Sequence, residues 1–272
     1  MSIISRFAPS PTGYLHLGHA YSAWLGRTHS DIWRLRFEDI DVVRCKKEYL
    51  LAAQQDLAWL GLAWDGEIRV QSEHLADYVK ALETLQNKQL LYPCFCTRSE
   101  IARVQSAPHG GEKKYPGTCR FLPVSARDRK LESGMPFALR INIDRAAGMV
   151  GPLRFFEVGT GWIDVDPYRW GDVVLARKDT PTSYHLCVVY DDAAQQISCV
   201  TRGADLRDTT HIHVLLQSLF GYETPCYLHH KLIAGEDGKR LAKRHKAVSL
   251  RELREGGVMP HEILRQLEAA QK

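Results

Sequence analysis

Two histidines three positions apart stand in the run His16-Leu17-Gly18-His19, shortly after Arg6-Phe7-Ala8-Pro9-Ser10-Pro11-Thr12-Gly13 and just before a helical pattern. Side chains at i and i+3 of a helix share one face. The first helical turn also presents unsatisfied backbone N–H groups and a positive dipole end to anions such as phosphate. Gly18, lacking a Cβ, lets the backbone come close to a flat base. The combination suits attack of a carboxylate on the α-phosphate of a nucleotide, whose developing negative charge needs preorganised donors. The four-letter pattern alone fits two surface or capping histidines equally well, so the segment before it carries much of the weight.

Further segments gather charged or nucleophilic side chains. They are Arg36-Phe37-Glu38-Asp39-Ile40-Asp41, Cys94-Phe95-Cys96 with Tyr115 and Cys119 downstream, Ser183-Tyr184-His185-Leu186 leading to Asp191-Asp192, Thr201-Arg202-Gly203-Ala204-Asp205-Leu206, and Gly238-Lys239-Arg240-Leu241-Ala242-Lys243-Arg244. In this order, over residues 6 to 244, the chain resembles the class I glutamyl-tRNA synthetases. The likeness is greatest to their short branch, the glutamyl-queuosine tRNA(Asp) synthetases. Residues 245–272 are too few for the separate anticodon-binding domain of a full glutamyl-tRNA synthetase, since a domain usually needs at least ~50 residues.

The resemblance implies an α/β fold: a class I aminoacyl-tRNA synthetase catalytic domain of Rossmann type with a zinc-containing insertion and no anticodon-binding domain. Residues 1–92 are expected to form the first half of the catalytic domain. Residues 93–180 are expected to form an insertion with the zinc site and a β-rich acceptor-type subdomain, and residues 181–272 the second half with a phosphate-binding loop and a short tail. The implied reaction is ATP-dependent activation of L-glutamate to glutamyl-AMP, followed by transfer to the queuosine base of tRNA(Asp). His16, His19 and Lys243 are the implied catalytic residues. ATP is expected to meet His16, Gly18, His19, Arg240 and Lys243, together with magnesium, because bare triphosphate is a poor electrophile.

Glutamate presents two carboxylates and one ammonium, so its pocket needs two cationic or multi-donor partners and one carboxylate. The implied lining is Arg6, Phe7, Ala8, Pro9, Ser10, Glu38, Tyr184 and Arg202. Glu38 faces the ammonium, and Arg6 and Arg202 serve the carboxylates in either pairing. Asp39 and Asp41 read as structural acids that cap a turn. The 238–244 loop departs from the family's KMSKS pattern: Arg240 replaces the first lysine, Ala242 lacks the serine hydroxyl, and Lys243 remains. Gly235 and Gly238 would let such a lid move.

Three thiols, Cys94, Cys96 and Cys119, leave one position of a tetrahedral zinc site unfilled. The alternative is three ordinary cysteines in a loop rich in proline and glycine. By the resemblance Tyr115 takes the fourth position, and one structural zinc would hold a segment with little else to order it. Cys45, Cys187, Cys199 and Cys226 lack such spacing and read as core residues. The pairs His211/His213 and His229/His230 lack a third ligand nearby and read as polar surface or core positions.

The composition is that of a globular enzyme, with 44% hydrophobic and 25% charged residues. No apolar run approaches the ~20 residues of a membrane span, and a signal-peptide pattern is lacking, so a cytoplasmic location is expected. Seven scattered cysteines argue against a disulfide framework. The net charge of +4 does not by itself point to nucleic acid, although Lys239, Arg240, Lys243, Arg244 and Lys246 form a basic run able to meet phosphates.

To position these residues the pattern offers a strand over 3–7, a helix over 20–27 and a strand over 34–38, a βαβ unit. Helices are expected over 48–60 and 76–91, irregular chain over 93–123, and β-rich chain over 137–178. Strands are expected over 186–190 and 197–202, and a helix over 209–220. Two other readings compete: a truncated glutamyl-tRNA synthetase that charges a tRNA 3′ end, and a non-catalytic synthetase-like module that binds RNA.

Overall fold

The computed structural model describes residues 2–97, 99–101, 114–232 and 248–271. Its strands, in chain order, are β1 (Ile4–Phe7), β2 (Ile32–Phe37), β3 (Arg69–Val70), β4 (Leu91–Cys94), β5 (Ala138–Ile141), β6 (Arg154–Glu157), β7 (Gly161–Asp164), β8 (Val174–Ala176), β9 (Cys199–Gly203) and β10 (Cys226–His230). β1, the helix Leu17–Thr28 and β2 form the βαβ unit, with Ile4 opposite Ile32 and Phe7 opposite Leu35 in parallel register. Trp33, Leu35 and Phe37 are fully buried, and so is Arg36 between them. Burial of successive residues is what a parallel strand covered on both faces requires.

The sheet order is β1-β2-β3 on one side and β7-β6-β10-β9 on the other. Polar contacts join the two. Ser198 N donates to Ile4 O and Ile4 N donates to Ser198 Oγ, each at 2.9 Å, while Ser5 Oγ donates to Thr201 Oγ1 at 3.3 Å. β1 and β9 therefore run side by side, and the residues at their C-terminal ends, Arg6 and Arg202, come to one place. A third sheet, β4-β5-β8, is antiparallel throughout.

Phe155, Val200 and Tyr227 form a small apolar cluster on β6, β9 and β10, and two larger clusters serve the other sheets. One groups Ala20, Trp24, Trp33 and Leu57 with Leu250, Ile263 and Leu267, so the C-terminal helices Leu250–Glu255 and Pro260–Gln271 pack against the first βαβ unit. The other gathers residues of the helices Leu75–Asn87, Tyr184–Ala194 and Thr210–Phe220. No helix among the described residues is long and apolar enough to cross a membrane.

Several expected elements differ. Residues 186–190 are not a strand but the middle of the helix Tyr184–Ala194. The run Leu186-Cys187-Val188-Val189 is buried on every side, and a short, wholly apolar run has the same pattern in a buried strand and in a buried helix. The helix expected to reach residue 91 ends at Asn87, because Gln89 adopts φ 55° and turns the chain into β4. β4 enters the stretch expected to be irregular, and Pro93 is tolerated there because β4 is an edge strand. Within 137–178, Asn142 caps a helix, Ile143–Met149, by accepting from Arg145 N at 3.2 Å. β6 and β7 lie in the 93–180 span yet pair into the sheet of β9 and β10.

Candidate active site

The C-terminal ends of β1, β2 and β9 and the first turn of the helix Leu17–Thr28 surround a cleft of about 530 Å3. Arg6, Phe7, Ala8, Pro9, Ser10, His16, Gly18, His19, Glu38, Tyr184 and Arg202 all line it. Every described residue expected to contact glutamate or ATP is thus in one void. Lys243 and Arg240 lie outside the described residues.

His16 is the N-cap of its helix: its Nδ1 accepts from Gly18 N at 3.1 Å, while His19 Nδ1 accepts from His16 N at 3.2 Å, closing a reciprocal capping box. A backbone N–H only donates, so Nδ1 is the acceptor in both rings, and the neutral tautomer carries its proton on Nε2. Both imidazoles are thereby set as Nε2–H donors, and their ring centroids lie 3.9 Å apart. On the far side, Leu250 N donates to Leu15 O at 2.8 Å and Ser249 bridges to His16, tying the C-terminal helices to this segment.

Arg6 and Glu38 belong to a buried ion cluster. Asp192 accepts Arg6 Nε at 2.9 Å and Arg36 Nη1 at 2.8 Å, and Arg36 Nη2 donates to Glu38 Oε1 at 3.2 Å. Asp191 accepts Arg69 Nε at 2.6 Å, Gln71 Nε2 at 2.8 Å and Tyr78 Oη at 2.9 Å. Burial pushes the Asp192 carboxyl up, but Arg6 and Arg36 outweigh it and hold Asp192 below the usual carboxylate range. Burial wins at Glu38, whose carboxyl is raised despite Arg36 and Arg6. The formal charges of Arg6, Arg36 and Arg69 balance those of Glu38, Asp191 and Asp192.

Arg202 has a different environment. It is 5% exposed, and its donors go to His229 Nε2 (3.2 Å), His213 Nδ1 (3.2 Å) and Thr210 Oγ1 (2.8 Å). Among the described residues no carboxylate lies within ion-pair distance of it. The histidines around it are neutral: burial, reinforced by the Arg202 charge, holds His185 and His229 at about 4 and His213 well below its ordinary value. Since arginine only donates, His213 Nδ1 accepts from it, and Nε2–H passes the chain on to His185 Nδ1 at 3.1 Å. The direct partners of Arg202 are thus neutral, while the buried carboxylate of Glu157 joins its network through His229 Nδ1 at 2.9 Å and is itself paired with Arg207.

Ser22, Thr201, Gly203, Asp205, Leu206, His230 and Leu232 also line the cleft without an assignment to glutamate or ATP from sequence. Ser22 sits three residues after His19, so helical spacing offered a signal. Gly203 to Leu206 directly follow Arg202. His230, paired with His229 in the sequence, reads there only as a polar surface or core position, and the fold places it in the cleft wall. A Cβ at Gly203 would sit 2.6 Å from Asp205 Oδ1 and 2.9 Å from Leu232 Cδ2, so a side chain there would have to displace the ends of those two side chains at the rim. Asp39 and Asp41 act as caps: Asp39 accepts from Ser72 N (2.8 Å) and Oγ (2.6 Å), and Asp41 from Arg44 N (3.1 Å).

Away from the cleft, the Cys94, Cys96 and Cys119 sulfurs lie within 4.8 Å of one another. Tyr115 Oη is 3.4 Å from both Cys94 Sγ and Cys96 Sγ, and Cys96 Sγ is 3.4 Å from Cys119 Sγ. Ligands on bonds of ~2.3 Å around a tetrahedral ion stand on the order of 3.7 Å apart. The three soft sulfurs and the phenol oxygen thus have the spacing of a closed four-ligand metal site.

The family described as tRNA synthetases class I (E and Q), catalytic domain, matches residues 2–269. A Rhodobacter capsulatus protein named Glutamyl-Q tRNA(Asp) synthetase is 45% identical over 97% of this chain and 99% of its own length. An Aquifex aeolicus protein named Glutamate--tRNA ligase is 38% identical over 97% of this chain and 56% of its own. The crystal structure of the Elizabethkingia anophelis glutamate-tRNA synthetase superposes with a TM-score of 0.76 at 26% identity, covering 90% of this chain and 53% of that one. The chain spans about half the length of that synthetase. A catalytic-domain match over nearly every residue, joined to this cleft at the ends of parallel strands, makes the chain a member of the class I tRNA synthetases of the E and Q type and an enzyme of the ligase class.

Proposed function

We propose that the enzyme activates L-glutamate with ATP and transfers the glutamyl group to the queuosine base in the anticodon of tRNA(Asp). The observation that carries the amino-acid half is Arg202, a buried cation with neutral partners in a cleft that also holds Arg6 and the carboxylate of Glu38. Glutamate brings the anionic side chain that such a cation needs, and its ammonium finds Glu38. In the first step the glutamate α-carboxylate attacks the α-phosphorus; a P–O bond forms, the bond to the β-phosphate oxygen breaks, and pyrophosphate leaves. The Nε2–H groups of His16 and His19 donate to the oxygens on which charge builds, and Lys243 and Arg240 serve the leaving phosphates. Magnesium accompanies the ATP phosphates. In the second step a hydroxyl of the queuosine ring attacks the glutamyl carbonyl, an ester forms, and AMP leaves.

The queuosine half rests on the relatives named Glutamyl-Q tRNA(Asp) synthetase, matched along most of their length. The second reading, aminoacylation of a tRNA 3′ end, is favoured by the relatives named Glutamate--tRNA ligase. Cys94, Cys96, Tyr115 and Cys119 would hold one zinc, with a structural role because protein ligands use all four positions. We assign the three spans 1–92, 93–180 and 181–272 to first half, insertion and second half of the catalytic domain, with β6 and β7 of the middle span returning to the sheet of β9 and β10, and the enzyme to the cytoplasm with its tRNA.

The test uses radiolabelled glutamate and matched tRNA(Asp) samples that contain or lack queuosine. Transfer should require queuosine and survive enzymatic trimming of the 3′-terminal adenosine. Transfer that disappears on trimming, or that proceeds equally well to tRNA(Glu), supports the second reading.

A further inference from the structure

Glu157, the last residue of β6, is 4% exposed and lines no part of the cleft. Its two carboxylate oxygens meet different partners. Oε2 accepts from Arg207 Nε at 2.9 Å, and from Arg207 Nη2 as well, on the short helix Ala204–Thr209. Oε1 lies 2.9 Å from Nδ1 of His229 on β10, and the other nitrogen of that ring, Nε2, accepts from Arg202 Nε at 3.2 Å. A carboxylate and a guanidinium thus stand at the two nitrogens of one imidazole whose side chain is 1% exposed.

A carboxylate only accepts and a guanidinium only donates, so this chain has one polarity: His229 gives Nδ1–H to Glu157 and takes the Arg202 proton on Nε2. The other tautomer would set Nε2–H against the Nε–H of Arg202 and a bare Nδ1 against the carboxylate. Thr210 reinforces the same choice, since its Oγ1 accepts from Arg202 Nη2 at 2.8 Å and, 3.3 Å from His229 Nε2, gives its own proton to that nitrogen. Among the described residues Arg202 spends three of its five N–H groups on His229, His213 and Thr210, which leaves two for a ligand. Nε is the nitrogen bound to the side-chain stem, so anchoring its N–H fixes the rotation of the whole guanidinium plane. The Tyr227 ring, 5.4 Å from Arg202 Cζ and stacked on His229 at 10°, supports that plane from one side. A carboxylate on the far nitrogen of a histidine sets its tautomer and makes the near nitrogen a better acceptor. We propose that Glu157 is a positioning residue, which through His229 holds Arg202 in the orientation that meets a carboxylate of the amino-acid substrate; this rests on the reading of glutamate as that substrate.

The test combines ring-nitrogen magnetic resonance of the full chain, with its histidines isotopically labelled, and calorimetric titration of glutamate and, separately, of ATP. Without ligand His229 should be protonated on Nδ1 and bare on Nε2, its signal being assigned by loss in His229→Phe. Glu157→Leu should weaken glutamate binding by about tenfold, through the loosened contact to a charged group, with ATP affinity unchanged. His229→Phe should do the same, and the double variant should bind no more weakly than His229→Phe alone, because both changes act through one contact. Arg207→Gln, which frees Oε2 but leaves Oε1 on His229, should leave glutamate affinity unchanged. Thermal melts establish folding; should Glu157→Leu not fold, the ring spectra and His229→Phe set against Arg207→Gln decide. A His229 ring protonated on Nε2 in the unaltered enzyme, full glutamate affinity in a folded Glu157→Leu or His229→Phe, additive losses in the double variant, an equal loss of ATP binding, or the same loss in Arg207→Gln would overturn the positioning role. An unaltered enzyme that takes up no glutamate would count instead against the proposed substrate, and the ring spectra would still judge the link from Glu157 to Arg202.

Discussion

In the proposed reaction His16 and His19 act through the nitrogen that faces away from the backbone, because both Nδ1 atoms are occupied by N–H groups of their own turn. Alanine at either position should reduce glutamate-dependent pyrophosphate exchange by about 10²-fold if each donates to the developing charge. The His16 change also removes an N-cap and should cost about 1 kcal/mol of stability. His19→Ala is therefore the cleaner variant, and unchanged exchange in both would remove the pair from the reaction. The neutral histidines around Arg202 lead to a pH dependence. Once unfolded, His185 and His229 take up protons near 6.5, but in the fold burial, aided by Arg202, delays this to about 4. Over that interval the unfolded chain binds more protons, so stability is full above about 6.5 and falls as pH drops toward 4. Asp56 opposes this, since burial lifts its carboxyl to about 6 and the folded state takes up that proton first. His185→Gln should flatten the fall of the urea midpoint between pH 6.5 and 4.5; the same slope in the variant would mean that this ring already carries charge in the fold.

Elements with a chemical signature were legible, and those defined only by burial were not. The helix after residue 16 announced itself through a polar cap and periodic spacing, and the C-x-C pair with Tyr115 and Cys119 through ligand types. The helix Tyr184–Ala194 was split by its apolar run, whose pattern has no period to read. Nor did any local pattern tell that Asp191 and Asp192, on that helix, answer Arg36 and Arg69 from strands more than a hundred residues earlier. The β4-β5-β8 sheet with its cysteine cluster yields its own prediction. Protein purified without chelator should contain one zinc per chain by elemental analysis, and Cys96→Ser should lose both the zinc and thermal stability. Full zinc and unchanged melting in that variant would show that the cluster is incidental. The metal should protect residues 91–97 and 114–120 in hydrogen exchange more than it protects the cleft, because it closes a loop rather than touching substrate.

Across the whole molecule, the sheet is assembled from two halves that meet where β1 lies beside β9. The sequence resemblance placed Arg6, Glu38 and Arg202 in one pocket without saying how charges nearly two hundred residues apart would offset one another. The fold answers by matching three arginines to three carboxylates in the cluster and by leaving Arg202 among imidazoles that stay uncharged. A consequence follows for the amide analogue of glutamate. Glutamine has nearly the same shape, so a pocket built on fit alone would accept it. In the proposed complex, however, replacing a carboxylate by a carboxamide removes the counter-ion from a desolvated guanidinium, and sites whose buried polar groups are left unmatched reject near-isosteres by about 10⁴-fold. Glutamine should therefore neither support pyrophosphate exchange nor compete well against glutamate. Neutralising the cation with Arg202→Gln should lower glutamate affinity far more than glutamine affinity, since in the proposed complex acid is told from amide by the charge of a guanidinium whose direct partners are neutral.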